Sequence, residues 1–372
     1  MITGQEALAD NNGTAEPRIT ISIVNWNGME YLPACLGSLR EQTFKDFRII
    51  IVDNGSSDGS IQWLKENAPE VELIEAGENL GFSKAHNIAL NATKGEYVLV
   101  LNFDIILEPD FLEVLRKNMD ERPQVGMASG KLRKLFNGNK SNILDSTGIL
   151  MRRCMQAARG EMEEDKGQYD NEESCDIFGP CGAAPLYRRA MLDDIAFEGR
   201  EYFDEDYILY VEDVDLAWRG QLMGWKAAYF AQAVAYHERG ATRKNSKQAS
   251  YDYLVIGFSN RLCGIYKNMS SRMFFRFFPK IFFHEAGSLL FKHNYPYSVN
   301  YKTLTRFWTL LPAMRRKREF IQDSIQVDPF YMEKYFKYKP YSIVRHAAAG
   351  ALNLAARVFM KLRDMIKGDL YD

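Results

Sequence analysis

Residues 210–220 read YVEDVDLAWRG and crowd three carboxylates, Glu212, Asp213 and Asp215, into four positions. Two unit charges about 4 Å apart repel by roughly 1 kcal/mol in water, and by roughly 4 kcal/mol at an effective dielectric near 20. The partial positive charge of a helix start absorbs part of that cost, and one or two acidic residues in a first turn are ordinary. Three exceed what capping needs. A carboxylate with negative neighbours holds a proton more tightly, which suits a general base. His237 follows 24 residues after Asp213, at the end of a strand-like run in YHERG. A lone histidine is usually structural, but one at a strand end beside an acidic turn can reach a metal.

Three other stretches could carry chemistry. VDNGSSDGS (52–60) ends a strand in Asp53 beside small polar residues. That carboxylate could accept from a pyrimidine N–H or ribose hydroxyls, or the stretch could be a capped turn. LNFDIILEPDF (101–111) drives an apolar strand into an acidic turn, with Asp104 beyond the strand end. A hard cation such as Mg²⁺ or Mn²⁺ accepts one or two carboxylates plus substrate phosphates, although surface turns often carry Asp. In ENLGFSKAHNIALN (78–91), Gly81 allows a tight entry to a helix whose N–H groups could face a pyrophosphate. His86 in that helix reads as packing.

The elements that must position these residues alternate. ITISIV (19–24), FRIIIVD (47–53), VELIEA (71–76) and EYVLVLN (96–102) read as strands. Helical patterns lie between them over 29–42, 61–67 and 83–93. Near-continuous apolar strands with short crossovers predict an α/β fold, a mostly parallel sheet covered on both faces. Ligands then bind beyond the carboxyl ends, which hold Asn25, Asp53 and Asn102-Phe103-Asp104. Farther on, the polar stretch 159–174 reads as a flexible, lid-like loop. After the turn FGPCGAA (178–184), a helix is expected over 185–193, with strands over 225–230 and 233–237. The segment 343–367 is helix-forming and amphipathic.

With 46% apolar and 26% charged residues, the 372-residue chain fits a folded protein with one large core or two modest ones. Its net charge of −2 is unevenly spread. From Tyr251 onward there are 20 Lys and Arg against 9 Asp and Glu, which leaves 27 against 40 before it. The acidic front half is a poor nucleic-acid binder, and the basic rear half suits anionic lipid or a phosphorylated acceptor. Five cysteines without a CxxC pair point to a reduced, cytoplasmic setting. The polar N-terminus reads as a mobile tail, not a signal peptide, and residues 273–291 are too interrupted by charge to span a membrane.

In chain order, the strand end Asn25-Trp26-Asn27-Gly28, VDNGSSDGS, NLGFSKAHN, LNFD, GAAPLYRR, YVEDVDLAWR and AVAYH form one pattern. It resembles glycosyltransferase family 2, inverting enzymes with the GT-A fold, and within it the rhamnosyltransferase-like and galactofuranosyltransferase-like branch. The resemblance covers residues 18–240, with a looser echo to 320. It implies a flexible tail (1–17), a GT-A nucleotide-sugar-binding and catalytic domain (18–245) and a basic, aromatic-rich helical region (246–372) that meets acceptor, membrane or a second copy. It implies transfer of a sugar, with rhamnose from dTDP-rhamnose favoured, to a hydroxyl of a glycan or lipid-linked glycan in cell-surface polysaccharide synthesis. Asp213 would be the base, with Glu212 and Asp215 as electrostatic support. Asn25, Asn27, Asp53, Asn79, Gly81, Asn102 and Asp104 would bind the nucleotide sugar. Gly182 and Ala183 would line the acceptor side, and Asp104 and His237 would hold Mg²⁺ or Mn²⁺. Asn102 stands where the family's DxD motif has its first aspartate, which implies weaker metal dependence. The implied location is cytoplasmic, at the inner face of the membrane. Two alternatives stand beside it: a degenerate, non-catalytic binding subunit, and a nucleotidyltransferase. The latter lacks a basic, glycine-rich phosphate loop after the first strand, and no GxGxxG supports nicotinamide chemistry.

Overall fold

The computed structural model describes residues 16–152, 155–171, 177–239, 247–277, 279 and 297–336. The chain runs through β1 (Ile19–Asn25), α1 (Leu32–Arg40), β2 (Phe47–Asp53), α2 (Ser60–Asn67), β3 (Val71–Glu75), α3 (Gly81–Asn91) and β4 (Tyr97–Leu101). It continues with β5 (Ile105–Leu107), α4 (Phe111–Asp120), β6 (Val125–Phe136), β7 (Asn139–Ser146) and a hairpin of β8 (Ile149–Arg152) and β9 (Met155–Ala158). Then come β10 (Leu186–Arg188), α5 (Arg189–Ile195), α6 (Glu212–Leu222), β11 (Lys226–His237), α7 (Lys247–Asn268) and α8 (Tyr297–Asp323).

One sheet carries the order β3-β2-β1-β4-β10-β6-β11-β5, with β7 paired to β6. β3, β2, β1 and β4 are parallel, and β10 joins antiparallel. Alternate residues of these strands point to opposite faces. Ile21, Ile23, Ile49, Ile51, Leu99 and Leu101 pack with Leu32, Leu36 and Leu39 of α1. Ile50 and Val52 pack with Ala85 and Ala89 of α3 on the other face. Both faces are thus apolar, which is why the strands read as unbroken hydrophobic runs. Asn25 lies opposite Asp53 in register, and β4 ends beside them. The expected residues do gather at the carboxyl edge.

Some expected elements differ. α1 starts at Leu32 rather than Met29, because Asn27 turns the chain at φ 54° and Pro33 opens the helix. The helix expected over 185–193 is the short strand β10 followed by α5; Leu186 pairs with Leu99 and Ala128. The two strands expected near 225–237 are one strand, β11, whose register against β6 shifts between Phe230 and Val234. Over 159–171 the polar stretch is a strap, not a free lid. Its buried Asp165 pairs with Lys131 at 3.2 Å and Arg133 at 2.6 Å, and the Leu144 N–H donates to the Glu163 carbonyl at 2.8 Å. The amphipathic segment 343–367 lies outside the described residues.

Residues through Tyr335 form one compact unit, and a second runs from Phe336 to Asp372. Contacts climb α7 and α8 together: Asp252 with Lys302, Asn260 with Arg306, Met269 with Arg318. The two helices therefore run parallel. α7 reaches the sheet domain through buried charge. Lys267 pairs with Asp215 at 3.0 Å and also with Asp204. Asn268 donates to Asp215 at 2.7 Å, and Lys317 of α8 meets Asp204 at 2.5 Å. Among the described residues no helix is long and apolar enough to cross a membrane. Removing one partner of a buried charge cluster strands the others, at a cost of about 3–5 kcal/mol. Lys267→Met should therefore lower the unfolding free energy in urea by about that amount, and a loss below about 1 kcal/mol would show that α7 is not anchored this way.

Candidate active site

A cavity of about 620 Å³ opens at the carboxyl edge of the sheet. Asn54, Asn79, Asn102 and Asp104 line one part of it, and Glu212, Asp213, His237 and Arg239 another. Tyr253 and Ile256 of α7 close a further side. The volume suits a small-molecule ligand.

The three crowded carboxylates separate once their surroundings are read one by one. Asp213 faces the cavity and accepts two backbone N–H groups, from Gly182 and Val214, each at 2.8 Å. Burial raises its proton affinity, while those two donors favour its anion. A side chain at Gly182 would sit 3.2 Å from Asp213 Cβ, so glycine permits the close approach. Glu212 is buried, and its Oε2 has no hydrogen-bond partner among the described residues. Burial first, then the charge of Asp213, pushes its pKa well above the carboxylate range. Asp215 points away from the cavity. It binds Arg219 at 3.0 Å one turn later, along with Lys267 and Asn268. Asp215 thus anchors α7 from behind the helix, and its charge also contributes, after burial and Asp213, to the raised pKa of Glu212.

The backbone entering α6 is strained. Tyr210 and Val211 both lie in the left-handed region, at φ 68° and 71°. A β-branched residue there is an outlier, and such positions cost of order 1–3 kcal/mol each. Neighbouring elements hold them. Asn260 of α7 donates to the carbonyls of Leu209 and Tyr210 at 3.0 and 2.8 Å. From α3, Ser83 donates to the Tyr207 carbonyl at 2.6 Å and the Phe82 N–H to the Ile208 carbonyl at 2.8 Å. The last bond takes an N–H of the α3 start that was expected to face a pyrophosphate. Gly81 has φ 80°, and a Cβ there would lie 2.6 Å from the Ile208 carbonyl oxygen. Its role is this close contact.

β5 and β11 bring His237 to Asp104. Ile105 pairs with His237, and the Glu238 N–H donates to the Asp104 carbonyl at 3.0 Å. His237 Nε2 then lies 3.5 Å from Asp104 Oδ1, while Nδ1 is 2.8 Å from Asp145 Oδ2. Burial opposes charge on the imidazole, but the two carboxylates outweigh it and raise its pKa to about 9. This donor set fits a hard divalent cation. One carboxylate and one imidazole face each other, and Asp145 fixes the ring as an outer-shell partner. No cluster of three or more His, Cys, Asp or Glu side chains suited to a metal occurs among the described residues. A cation here would complete its shell with ligand oxygens and water.

Other expected residues serve the framework. Asp53 is buried, accepting from Asn25 Nδ2 at 2.7 Å and the Ser56 N–H at 2.8 Å. It was expected to meet a nucleobase but closes the turn instead, and Asn54 beside it lines the cavity. Asn25 also donates to Ser56 and Ser60, and Asn27 Oδ1 accepts the Ser57 N–H, so both lash the first two turns together. Asn79 Oδ1 accepts the Gly81 N–H at 2.9 Å. The Asn102 N–H donates to the Ala183 carbonyl at 2.9 Å, tying the acidic turn to the glycine turn. His86 bonds Ser22 at 2.8 Å, and burial lowers its pKa to about 3, so it lines the cavity as a neutral ring.

Asp145 and Arg239 escaped the sequence reading. Arg239 lines the cavity and pairs with Asp145 at 2.6 Å. It sits in the same YHERG as His237, a signal that was present; Asp145 lies in an unremarkable stretch of β7.

Residues 20–196 match the model of glycosyl transferase family 2. This segment resembles a glycosyl transferase family 2 domain. The chain is 27% identical over 240 residues to the N-acetylglucosaminyl-diphospho-decaprenol L-rhamnosyltransferase of Mycobacterium tuberculosis, covering 59% of this chain and 76% of that one. It is 26% identical over 196 residues to glycosyltransferase GlyA of Streptococcus pneumoniae, covering 52% of this chain but only 27% of that protein. The solved structure of GalNAc-T7 with UDP, GalNAc and Mn²⁺ superposes with a TM-score of 0.61 at 13% identity, over 91% of this chain and 58% of that one. That likeness shows the GT-A fold.

Glu212 keeps its proton to higher pH in the folded chain than in the unfolded one. Its contribution to stability is therefore full below the ordinary carboxylate pKa and falls as pH rises through the raised value. Glu212→Gln removes that slope. Unfolding free energies measured from about pH 4 to about pH 9 should show the variant gaining on wild type by on the order of 1 kcal/mol toward the alkaline end. Parallel curves would contradict a buried, proton-holding Glu212.

Proposed function

We propose that this chain transfers a sugar from a nucleoside diphosphate to a hydroxyl of a glycan or lipid-linked acceptor, with inversion. The observation that carries the proposal is Asp213. It is a cavity-facing carboxylate held by two N–H donors on a domain resembling family 2, with Asp104 and His237 lining the same cavity.

On this reading the acceptor oxygen attacks the anomeric carbon from the face opposite the diphosphate. The carbon–oxygen bond to the diphosphate breaks, and the acceptor proton passes to Asp213. The transition state resembles the oxocarbenium-like one of glycoside cleavage. Glu212 is the protonated neighbour that leaves Asp213 as the anion of the pair. Such separation of two adjacent carboxylates is how acid and base roles are set. Asp104 and His237 would hold a divalent cation, which supplies charge neutralisation at the departing diphosphate. Arg239, fixed by Asp145, adds positive charge near Asp213.

The donor is rhamnose from dTDP-rhamnose, a reading supported by the mycobacterial relative, whose name gives a rhamnosyl transfer to a diphospho-decaprenol-linked sugar. Tyr253 and Ile256 make the acceptor side apolar, and α7 and α8 belong to the region that meets the acceptor.

Asp213→Asn keeps the shape but offers one acceptor oxygen where Asp213 offers two to the Gly182 and Val214 N–H groups, and it cannot take a proton. Transfer from dTDP-rhamnose should fall by about 10²-fold or more while dTDP binding stays within about threefold of wild type. Retained transfer in this variant would refute Asp213 as the base.

A further inference from the structure

We propose that the outward face of α8 seats the protein on an anionic lipid surface. Tyr301, Leu304 and Trp308 are 73%, 40% and 65% exposed. Their spacing of three and then four residues sets them on one helix face. Pro312, Arg315 and Arg316 are exposed and continue that face. From Tyr301 to Arg316 the stripe is about 22 Å long at 1.5 Å per residue. The packing face of α8 is different and complete: Thr303, Leu311, Met314 and Ile321 are buried, and Arg306 and Arg318 bond α7. The exposed aromatics are therefore not core residues of this helix pair.

Chemistry selects the occupant. Tyr and Trp, each an apolar body with a polar edge, favour the headgroup level of a bilayer. Arg315 and Arg316 supply cations, within a C-terminal region that carries 20 Lys and Arg against 9 Asp and Glu. Geometry agrees. Because the helices are parallel, Lys302 meets Asp252 at the same end of the pair where Tyr253 and Ile256 line the cavity. A bilayer against Tyr301 and Trp308 would hold a lipid-linked acceptor beside that end of the cavity. This step rests on the transferase reading; the surface itself does not.

The test is partition of the full chain onto vesicles of phosphatidylcholine, with and without phosphatidylglycerol. Wild type should prefer the anionic vesicles. Arg315→Gln with Arg316→Gln should weaken that binding roughly tenfold or more, as expected for two interfacial cations. Tyr301→Ala with Trp308→Ala should weaken it comparably, with unchanged circular dichroism melting in both pairs. Unchanged partition in either variant overturns the proposal. So does a wild-type dimer in sedimentation that Trp308→Ala dissociates, because a second copy would then cover the face. Turnover of dTDP-rhamnose separates the two readings. Turnover without vesicle binding sinks the surface and spares the transferase, whereas vesicle binding through this face without turnover does the reverse.

Discussion

Glu212, Asp213 and Asp215 crowd one helix start, the first and last buried and Asp213 half-buried at the cavity, and repulsion among three anions there would oppose the docking of α6. The fold meets this constraint by giving each carboxylate a different environment. Asp215 is neutralised behind the helix by Lys267 and Arg219. Asp213 is held at the front by two backbone N–H groups. Glu212, buried and with no hydrogen-bond partner for its Oε2 among the described residues, holds its proton. The helical region is thereby bound into the chemistry, since α7 carries the counter-charge on which α6 depends. A charge that looks catalytic in sequence can thus be structural, and its neighbour two residues away can be the one that faces the ligand.

The same logic explains the strained turn before α6. Two successive left-handed residues, one of them β-branched, persist only because other elements over-determine them. α3 binds the turn from the sheet side, and Asn260 binds it from α7. Arg306 of α8 in turn donates to Asn260 at 2.8 Å, so both C-terminal helices fix the approach to Asp213. At the far end of the sheet, β5 and β11 set Asp104 against His237. Asp213, the proposed base, and the candidate cation ligands are thus placed by strands and helices rather than by free loops, which keeps such a site precise.

The legible parts of this fold were those governed by local pattern. β1, β2 and β4 were readable because their apolar runs are buried on both faces, β3 because apolar residues alternate with exposed glutamates along an edge strand, and α6 because acidic residues precede an apolar stretch. β10 was not readable: three residues become a strand only by pairing with Leu99 and Ala128, far away in sequence. The bulge in β11 likewise exists only against β6. At the site, Asp104, Asp213 and His237 were visible as residue types at strand and helix ends. Asp145 was not, because its partnership with His237 spans 92 positions. Asp53 misled for a related reason. A carboxylate at a strand end reads the same whether it meets a ligand or, as here, the amide of Asn25.

On the proposed reading the cavity is a nucleoside-diphosphate site whose cation is held by Asp104 and His237. That reading is tested most directly by calorimetric titration of UDP, dTDP and GDP, with and without Mn²⁺, on wild type and on Asp104→Ala. One nucleotide should bind, Mn²⁺ should tighten it by about tenfold or more, and Asp104→Ala should remove the metal effect. Failure of all three nucleotides to bind, or a metal effect that survives in Asp104→Ala, would contradict the reading.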